Sequence, residues 1–203
     1  MPNIFAISLI TVLAATASAQ QESEGFTRFA GFELGHVTLR DVQRVLGPSR
    51  LNEAGDAGEY EAWVCYSLPK GQVEFDSGEM GGEAHDLLGV TVSLHGRNKT
   101  CPSWPKTIRI PALQIGGVRL GISARTFAAS FKVPVQWRGN IASGNYQYQR
   151  EPSHTEILAL PEVIRTKAEK SPASFMLDVD VTVEGTFELG RLVKLTTWKI
   201  ETY

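Results

Sequence analysis

The chain has 203 residues, a net charge of −2 and 42% hydrophobic residues, with basic and acidic side chains interspersed. This length suits one large domain or two small ones, and the absence of a basic cluster argues against a nucleic-acid partner. Beyond the amino terminus, no apolar stretch approaches the roughly 20 residues of a membrane-spanning helix. We therefore expect a globular protein without a nucleic-acid partner and without a membrane span once its amino-terminal segment is cleaved.

Residues 1–19 have the pattern of a secretory signal peptide. An apolar run from Ile4 to Ala15 is followed by Ala17-Ser18-Ala19, a small-residue cleavage site, and then by polar residues. The run is short for a bilayer span, but a membrane anchor stays open because Met1-Pro2-Asn3 contains no Lys or Arg. The pattern predicts a periplasmic or secreted protein.

Two residues of the predicted exported part, Cys65 and Cys101, are the cysteines of the chain. An even number of cysteines in an oxidising compartment favours a disulfide, and two cysteines allow one intramolecular pairing. Metal ligation is the alternative, but neither a CxxC spacing nor paired histidines accompany them. We expect a disulfide that stabilises the fold by roughly 3–4 kcal/mol, and no metal or other cofactor.

The two halves share a helix-start pattern. Leu34-Gly35 leads to Thr38, and Leu120-Gly121 leads to Ser123 with one residue's slip. The Thr and Ser side chains are expected N-caps, because each can accept a hydrogen bond from an unpaired backbone N–H in the first turn. A proline follows each predicted short helix and prevents its continuation. The sequence therefore contains an internal repeat.

Strand-like segments follow each predicted helix. In chain order they are 59–68, 72–75, 87–95, 145–150, 175–184 and 192–200. Their alternation of apolar and polar residues is typical of antiparallel sheets with one packed and one solvated face. The expected fold class is α+β, with two tandem helix-plus-antiparallel-sheet units whose sheets pack on short helices.

The expected boundaries place the first unit at 26–101, an extended proline-containing linker at 102–111 and the second unit at 112–203. The second unit carries an insertion at about 151–174, in which 160–170 is a candidate helix with Pro161 in its first turn. Residues 185–190 are expected to connect the last two strands.

The pattern of Leu34-Gly35, Thr38, Val42 and Leu46-Gly47-Pro48, with the strands after it, resembles small exported bacterial proteins of the BamE/SmpA type. A tandem of two such units resembles the β-lactamase inhibitor protein superfamily. The resemblance spans nearly all of the predicted mature chain. It implies two repeats that present one concave sheet surface to a partner protein.

Motifs of catalysis are absent from the sequence, which has no HExxH, GxSxG, P-loop or GxGxxG and no closely spaced histidine pair. The densest polar segment, 74–86, offers carboxylates and one imidazole for a cation site or an acid–base pair. A glycine-rich hairpin connection is the other interpretation of this segment. We predict no catalytic residues and no metal ligands.

Candidate binding residues are those that strand alternation or loop position places at the surface. They are His95, Trp104, Trp137, Asp178, Asp180 and Glu184. If the two sheets abut, the polar ones form an acid-leaning surface that suits a basic partner, although an ordinary solvated sheet face has the same pattern. The two tryptophans lie in loop-like sequence, where indole side chains often anchor interfaces.

Three functions remain open at this stage. The first is an exported, non-enzymatic module that binds another exported or envelope protein, as an inhibitor or an envelope-assembly factor. The second is a protein that binds cell-wall glycan or a small ligand, and the third is a hydrolase without a recognisable motif. A cleft with a strongly shifted His or carboxylate pKa would favour the hydrolase, whereas an open aromatic-rich sheet face would favour binding.

Overall fold

The computed structural model describes residues 19–56, 58–95, 100–109, 112–170 and 175–203. The predicted signal peptide, up to residue 18, lies outside the described residues, as do parts of the predicted linker and of the insertion. Nowhere in the described ranges is there a helix that is long and apolar enough to cross a membrane.

The elements are labelled in chain order. Residues 19–23 are helical and precede the labelled elements. The labelled elements are β1 (Arg28–Phe29), β2 (Phe32–Glu33), α1 (Leu39–Leu46), β3 (Asn52–Ala54), β4 (Glu61–Leu68), β5 (Gly71–Gly78), a 3-10 turn (Glu79–Gly81), β6 (Gly89–Ser93), β7 (Gln114–Ile115), β8 (Val118–Arg119), α2 (Ala124–Ala128), β9 (Val135–Arg138), β10 (Ile141–Arg150), α3 (His154–Ala159), α4 (Glu162–Lys170), β11 (Leu177–Glu188) and β12 (Arg191–Thr202). The α+β prediction is confirmed.

One antiparallel sheet contains eight of these strands, in the order β3-β4-β5-β6-β12-β11-β10-β9. Strands β3–β6 come from the first half of the chain and β9–β12 from the second. The halves meet where β6 pairs with β12, in a register that places Thr91 opposite Thr196. The strands of both halves therefore build one continuous surface.

Apart from helices α3 and α4 of the insertion in the second half, each half follows the same order of elements: a two-stranded ribbon, a helix and four strands of the sheet. The contacts repeat as well, since the Gly35 N–H donates to the Leu87 carbonyl and the Gly121 N–H donates to the Leu192 carbonyl, both at 2.7 Å. These bonds tie the start of each helical segment to the beginning of the last strand of its half.

Both predicted N-caps are present. The Thr38 side chain accepts the Asp41 N–H and completes a capping box, and the Ser123 side chain accepts the Thr126 N–H. Gly47 ends α1 with a positive φ of 90°, a conformation that glycine adopts without a steric penalty. Local capping chemistry thus sets the helix starts that the sequence predicts.

The helices pack on one face of the sheet, which we call the helix face. The apolar side of α1 is buried there, and the Tyr66 hydroxyl from β4 donates to the Gly47 carbonyl at its end. In the second half, Phe127 of α2 lies over Gly185, where an added Cβ would come within 2.8 Å of its ring. Burial on this face forms the main hydrophobic core.

The segment that begins at Ala19 also packs on the helix face. The Phe26 ring stacks on Phe131 at 5.4 Å and on Tyr146 at 5.8 Å. At the surface, the Lys132 ammonium lies 2.8 Å from a carboxylate oxygen of Glu22. Phe26, seven residues beyond the predicted cleavage site at Ala19, is therefore part of the core.

Several predicted boundaries are corrected. Strand β11 continues to Glu188, so the predicted 185–190 connection is a tight turn at Leu189 and Gly190, both with positive φ. Gly185 serves close packing rather than a turn, which misled the sequence prediction. The last strand of the first half ends at Ser93 and not at His95.

The second half also departs from its predicted elements. Strand β10 begins at Ile141 instead of residue 145, and β9 pairs with it as an additional edge strand. In the insertion, a helix begins at Glu162, and the separate helix α3 precedes it. Ser153 and Glu156 form a capping box at the start of α3, and this Ser-x-x-Glu pattern is visible in the sequence.

Candidate functional site

The sheet face opposite the helices is the open face. In the second half it consists of alternate residues of β10, β11 and β12, because successive side chains of a strand point to opposite faces. Its cross-strand rows are Gln149–Asp178–Thr202, Gln147–Asp180–Ile200 and Asn145–Thr182–Trp198. Most of these side chains are exposed or half-buried, so this region is a polar surface that faces solvent.

Amide and hydroxyl donors hold the carboxylates of this region. One oxygen of Asp180 accepts from Asn145 at 3.2 Å and from Gln147 at 2.9 Å, and the other accepts from Thr182 at 3.1 Å. Asp178 accepts from Gln149 at 2.8 Å. These donors are neutral, so they orient the carboxylates without cancelling their charge.

No ion pair within the described residues involves Asp178, Asp180 or Glu184. All three lie on the open face of β11, as the alternation in the sequence predicts. A depression of about 620 Å³ lies beside Asp178 and Asp180 and includes the exposed Ile200 and Thr202 in its lining. The arrangement offers charged acceptors and a small apolar contact to a cationic or hydroxylated partner.

The first-half part of the open face is different, because Glu74 and Asp76 at its centre are buried, while Glu61 at the start of β4 is exposed. Glu74 is 4% exposed and Asp76 5% exposed. The Thr91 hydroxyl donates to Asp76 at 3.1 Å and lies 3.1 Å from the Thr196 hydroxyl of β12. This polar network joins the two halves at the centre of the sheet and presents little charge to solvent.

The remaining candidate residues do not join the three carboxylates. Trp137 is 48% exposed, but it pairs with Ala142 on the helix face and its ring lies 5.4 Å from that of Phe187. His95 lies beyond the end of β6 and is exposed. The structure therefore groups the acidic candidates and separates the aromatic and histidine candidates from them. Their roles in binding remain predictions.

The expectation of a surface position is wrong for Trp104. Its side chain is 5% exposed, and its ring meets that of Tyr66 edge-on at 6.0 Å. The backbone around it follows the edge of β4, since the Ser67 N–H donates to Pro102 and the Trp104 N–H donates to Ser67. Loop-like sequence here forms an additional edge to the sheet, and this buries the indole.

The predicted disulfide is present between Cys65 and Cys101, with their Cα atoms 5.3 Å apart. Cys65 lies in β4 on the open face, and Cys101 begins the segment that contains Trp104. The bond therefore fastens this segment to the sheet. Cysteine pairing could be predicted from the sequence, but the resulting burial of Trp104 could not.

The polar segment 74–86 comprises most of β5, the 3-10 turn and a short loop. Burial raises the pKa of Asp86 in this loop, and the His85 ring stacks on Tyr60 at 6.2 Å. Tyr60 donates to Glu53 at 2.5 Å, a hydrogen bond that raises the phenol pKa. Within the described part of the chain, no group of three or more His, Cys, Asp or Glu side chains is placed to hold a metal ion.

A charge network that sequence reasoning missed lies at one end of the helix face. The Arg150 guanidinium bridges Glu156 of α3 and Glu201 of β12, and Lys199 lies 2.7 Å from Glu201. Hydrogen bonding from Arg150 lowers the pKa of Glu156 to about 2. Burial alone would raise the pKa of Glu201, but bonds from Arg150 and Lys199 outweigh it and lower that pKa. The network ties the insertion to the sheet.

Comparison with known proteins gives two matches, and no family model matches the chain. A curated protein from Mesorhizobium japonicum (strain LMG 29417 / CECT 9101 / MAFF 303099), named homospermidine synthase, is 25% identical over 190 residues. These cover 86% of this chain and 38% of that protein, so the chain spans well under half of its relative.

A solved structure from Streptococcus mutans, described as a candidate beta-lactamase inhibitor protein, covers 92% of this chain and 93% of its own at 9% identity. Its TM-score of 0.26 is too low to support an argument about fold or function.

Proposed function

We propose that the chain is an exported, non-enzymatic module of the periplasm or extracellular space that binds another protein through the second-half part of the open face. The observation that supports this most is the row of Asp178, Asp180 and Glu184 on an uncovered sheet face. The helices pack on the other side, so the sheet gives these carboxylates a rigid support.

The chemistry favours a partner with a basic surface. Neutral donors hold the carboxylates, and no cation among the described residues pairs with them. Lys or Arg side chains of a partner would therefore find unneutralised acceptors, and complementary charge raises the rate of association and selects among partners. The BamE/SmpA-like sequence pattern supports the same function, either as an inhibitor or as an envelope-assembly factor.

The test compares three immobilised proteins that begin at Gln20 and keep the disulfide. They are the wild type, the open-face variant Asp178→Lys/Asp180→Lys and a matched control, Glu162→Lys/Glu169→Lys, which makes the same charge change on exposed positions of α4. Each is incubated with the envelope and extracellular fractions of the source organism. We expect one stoichiometric protein to bind the wild type and the control and to be lost from the open-face variant. Equal recovery by all three, or no recovered protein, would contradict the proposal.

A small polar ligand is the second candidate, and the depression beside Asp178 and Asp180 supports it. Its volume of about 620 Å³ falls within the range of ligand sites, and carboxylates, amides and a hydroxyl surround the aliphatic side chain of Ile200. Carboxylates suit an ammonium ligand, and the curated relative is named for homospermidine. Amide and hydroxyl groups equally suit the hydroxyls of a glycan.

Calorimetric titration separates these ligands. Homospermidine and an N-acetylglucosamine tetramer serve as probes, with wild type and Asp178→Asn/Asp180→Asn compared. A cationic ligand should bind the wild type and lose affinity in the variant and at high salt, since the attraction is between charges that salt screens. A glycan should bind with little salt dependence. Absence of heat with both probes would reject this candidate for these two ligand classes.

A further inference from the structure

A second depression, mainly apolar, lies where the two halves of the chain meet. It has a volume of about 470 Å³. Its lining comes from the end of β4 and the turn after it, from the residue after β6, and from the β7–β8 ribbon with its flanking residues, and it includes Leu68, Lys70, Leu94, Leu113, Arg119 and Leu120. Pockets that bind small molecules commonly lie at such junctions and are largely apolar with few polar groups.

The lining has an apolar floor and a cationic rim. Leu68 and Leu120 are 8% and 9% exposed, whereas Leu94 is 37% exposed and stands open to solvent. Lys70 and Arg119 are exposed, and neither forms an ion pair with a described residue. The depression therefore combines uncovered aliphatic surface with two unneutralised positive charges.

Backbone geometry holds these walls in place. A Cβ added at Gly71 would lie 2.2 Å from the Ser93 carbonyl oxygen and 3.2 Å from Leu113, so glycine allows the β4–β5 turn to approach both. The Leu120 N–H donates to the Leu113 carbonyl at 3.0 Å and closes the ribbon. These backbone contacts fix the walls of the depression, so binding would need little rearrangement.

We propose that this depression binds an anionic amphiphile, a free fatty acid of medium or long chain. The alkyl chain would cover the leucines, and the carboxylate would lie between Lys70 and Arg119. Among the described residues of the lining there is no acidic side chain, so their charge is complementary to an anion and opposes a cationic amphiphile. A neutral lipid would leave both cations without a counter-charge. The depression is apolar with a cationic rim, unlike the acidic open face, and this proposal does not depend on the function proposed for the open face.

The test is calorimetric titration of the disulfide-bonded protein with octanoate, decanoate and dodecanoate, each below its micelle concentration. Burial of one methylene corresponds to about a fourfold change in Kd, so affinity should rise by roughly 16-fold for each two carbons until the depression is filled. Methyl dodecanoate, which lacks the charge, should bind up to about 25-fold more weakly than dodecanoate if both rim cations contribute.

Variants separate a built site from unspecific adsorption. Leu94→Asp, at an exposed position, should abolish binding, and Lys70→Gln/Arg119→Gln should weaken dodecanoate to the level of its methyl ester. The matched controls are Val163→Asp and Lys167→Gln/Lys170→Gln, which make the same apolar-to-acidic change and remove the same number of positive charges on exposed positions of α4. Circular dichroism confirms that each variant is folded.

Loss of binding in the depression variants with unchanged binding in the controls supports the proposal. No binding of dodecanoate by the wild type would overturn it. Equal weakening in variants and controls would also overturn it, because it would show adsorption to apolar surface in general. Equal affinity for dodecanoate and its methyl ester would reject the role of the cationic rim and with it the anionic ligand.

Discussion

Replacement of both cysteines by alanine should lower the free energy of unfolding by an amount that follows from their spacing. Cys65 and Cys101 are separated by 36 residues. In the chain-entropy model, a closed loop of this size destabilises the unfolded state by about 3.8 kcal/mol at 25 °C. The variant Cys65→Ala/Cys101→Ala should lose about that much, because the bond no longer restricts the unfolded chain.

Urea unfolding followed by tryptophan fluorescence measures the loss. The m-value of the variant should rise, since an unfolded chain without the bond exposes more surface. For a domain of this size, each kcal/mol shifts Tm by about 2–4 °C, so a decrease of roughly 8–15 °C is expected. Reduction of the wild type with dithiothreitol should reproduce both changes in an unaltered sequence.

A local control separates the entropy of the loop from the contacts near the bond. Ser67→Ala removes the hydrogen bond from its hydroxyl to the Cys101 carbonyl, at 3.1 Å, and leaves the disulfide intact. Its cost should be about 1 kcal/mol. If the double variant lost no more than this control and kept the wild-type m-value, the reasoning from loop closure would be refuted.

Three further predictions concern packing and charge. Arg150→Met should lower the free energy of unfolding by about 2 kcal/mol at neutral pH, between the values for exposed and buried ion pairs. Because Arg150 holds the pKa of Glu156 at about 2, below its ordinary 4.5, the difference in stability between wild type and variant should shrink as pH falls from 4.5 to 2. Acid-unfolding curves of the two proteins that stay parallel over this range would contradict the prediction. Gly185→Ala should lower the free energy of unfolding by about 1–3 kcal/mol, because its Cβ would lie 2.8 Å from the Phe127 ring. Thermal unfolding measures this loss, and the control Thr186→Ala on the open face should leave the stability nearly unchanged. Burial raises the pKa of Tyr66 to about 12, so ultraviolet titration should show a phenol that ionises near pH 12. The wild type should lose stability relative to Tyr66→Phe as pH rises from 10 through 12, because the unfolded chain ionises this phenol at a lower pH than the folded protein does.

Features governed by near neighbours in the chain could be predicted from the sequence. The N-caps at Thr38 and Ser123 need only a side chain and the N–H three residues later. The strand alternation of β11 placed Asp178, Asp180 and Glu184 on one face, because the period of two is a local property. The fold class follows from these local patterns together.

Features that depend on distant contacts could not be predicted. In the sequence, Gly185 cannot be told from a glycine that forms a turn. The structure shows that it lies within a strand and leaves room for the ring of Phe127. Trp104 is buried because the disulfide and the hydrogen bonds to the edge of β4 hold its segment against the core. The pairing of β6 with β12, which joins the halves into one sheet, has no signature in either strand alone.

The two halves share a framework but differ in the exposure of the acidic side chains on their open face. Each contributes a ribbon, a helix and four strands, and their last strands pair antiparallel at the centre of the sheet. On the open face, however, Glu74 and Asp76 of the first half are buried, while Asp178 and Asp180 of the second half reach solvent. Charge reversal at Glu74 or Asp76 should therefore act on stability, since it disrupts a buried network. Under the proposed function, charge reversal at Asp178 or Asp180 should act on binding. Under the proposed function, the first half of the sheet therefore supplies a rigid centre, and the second half supplies the surface that contacts the partner.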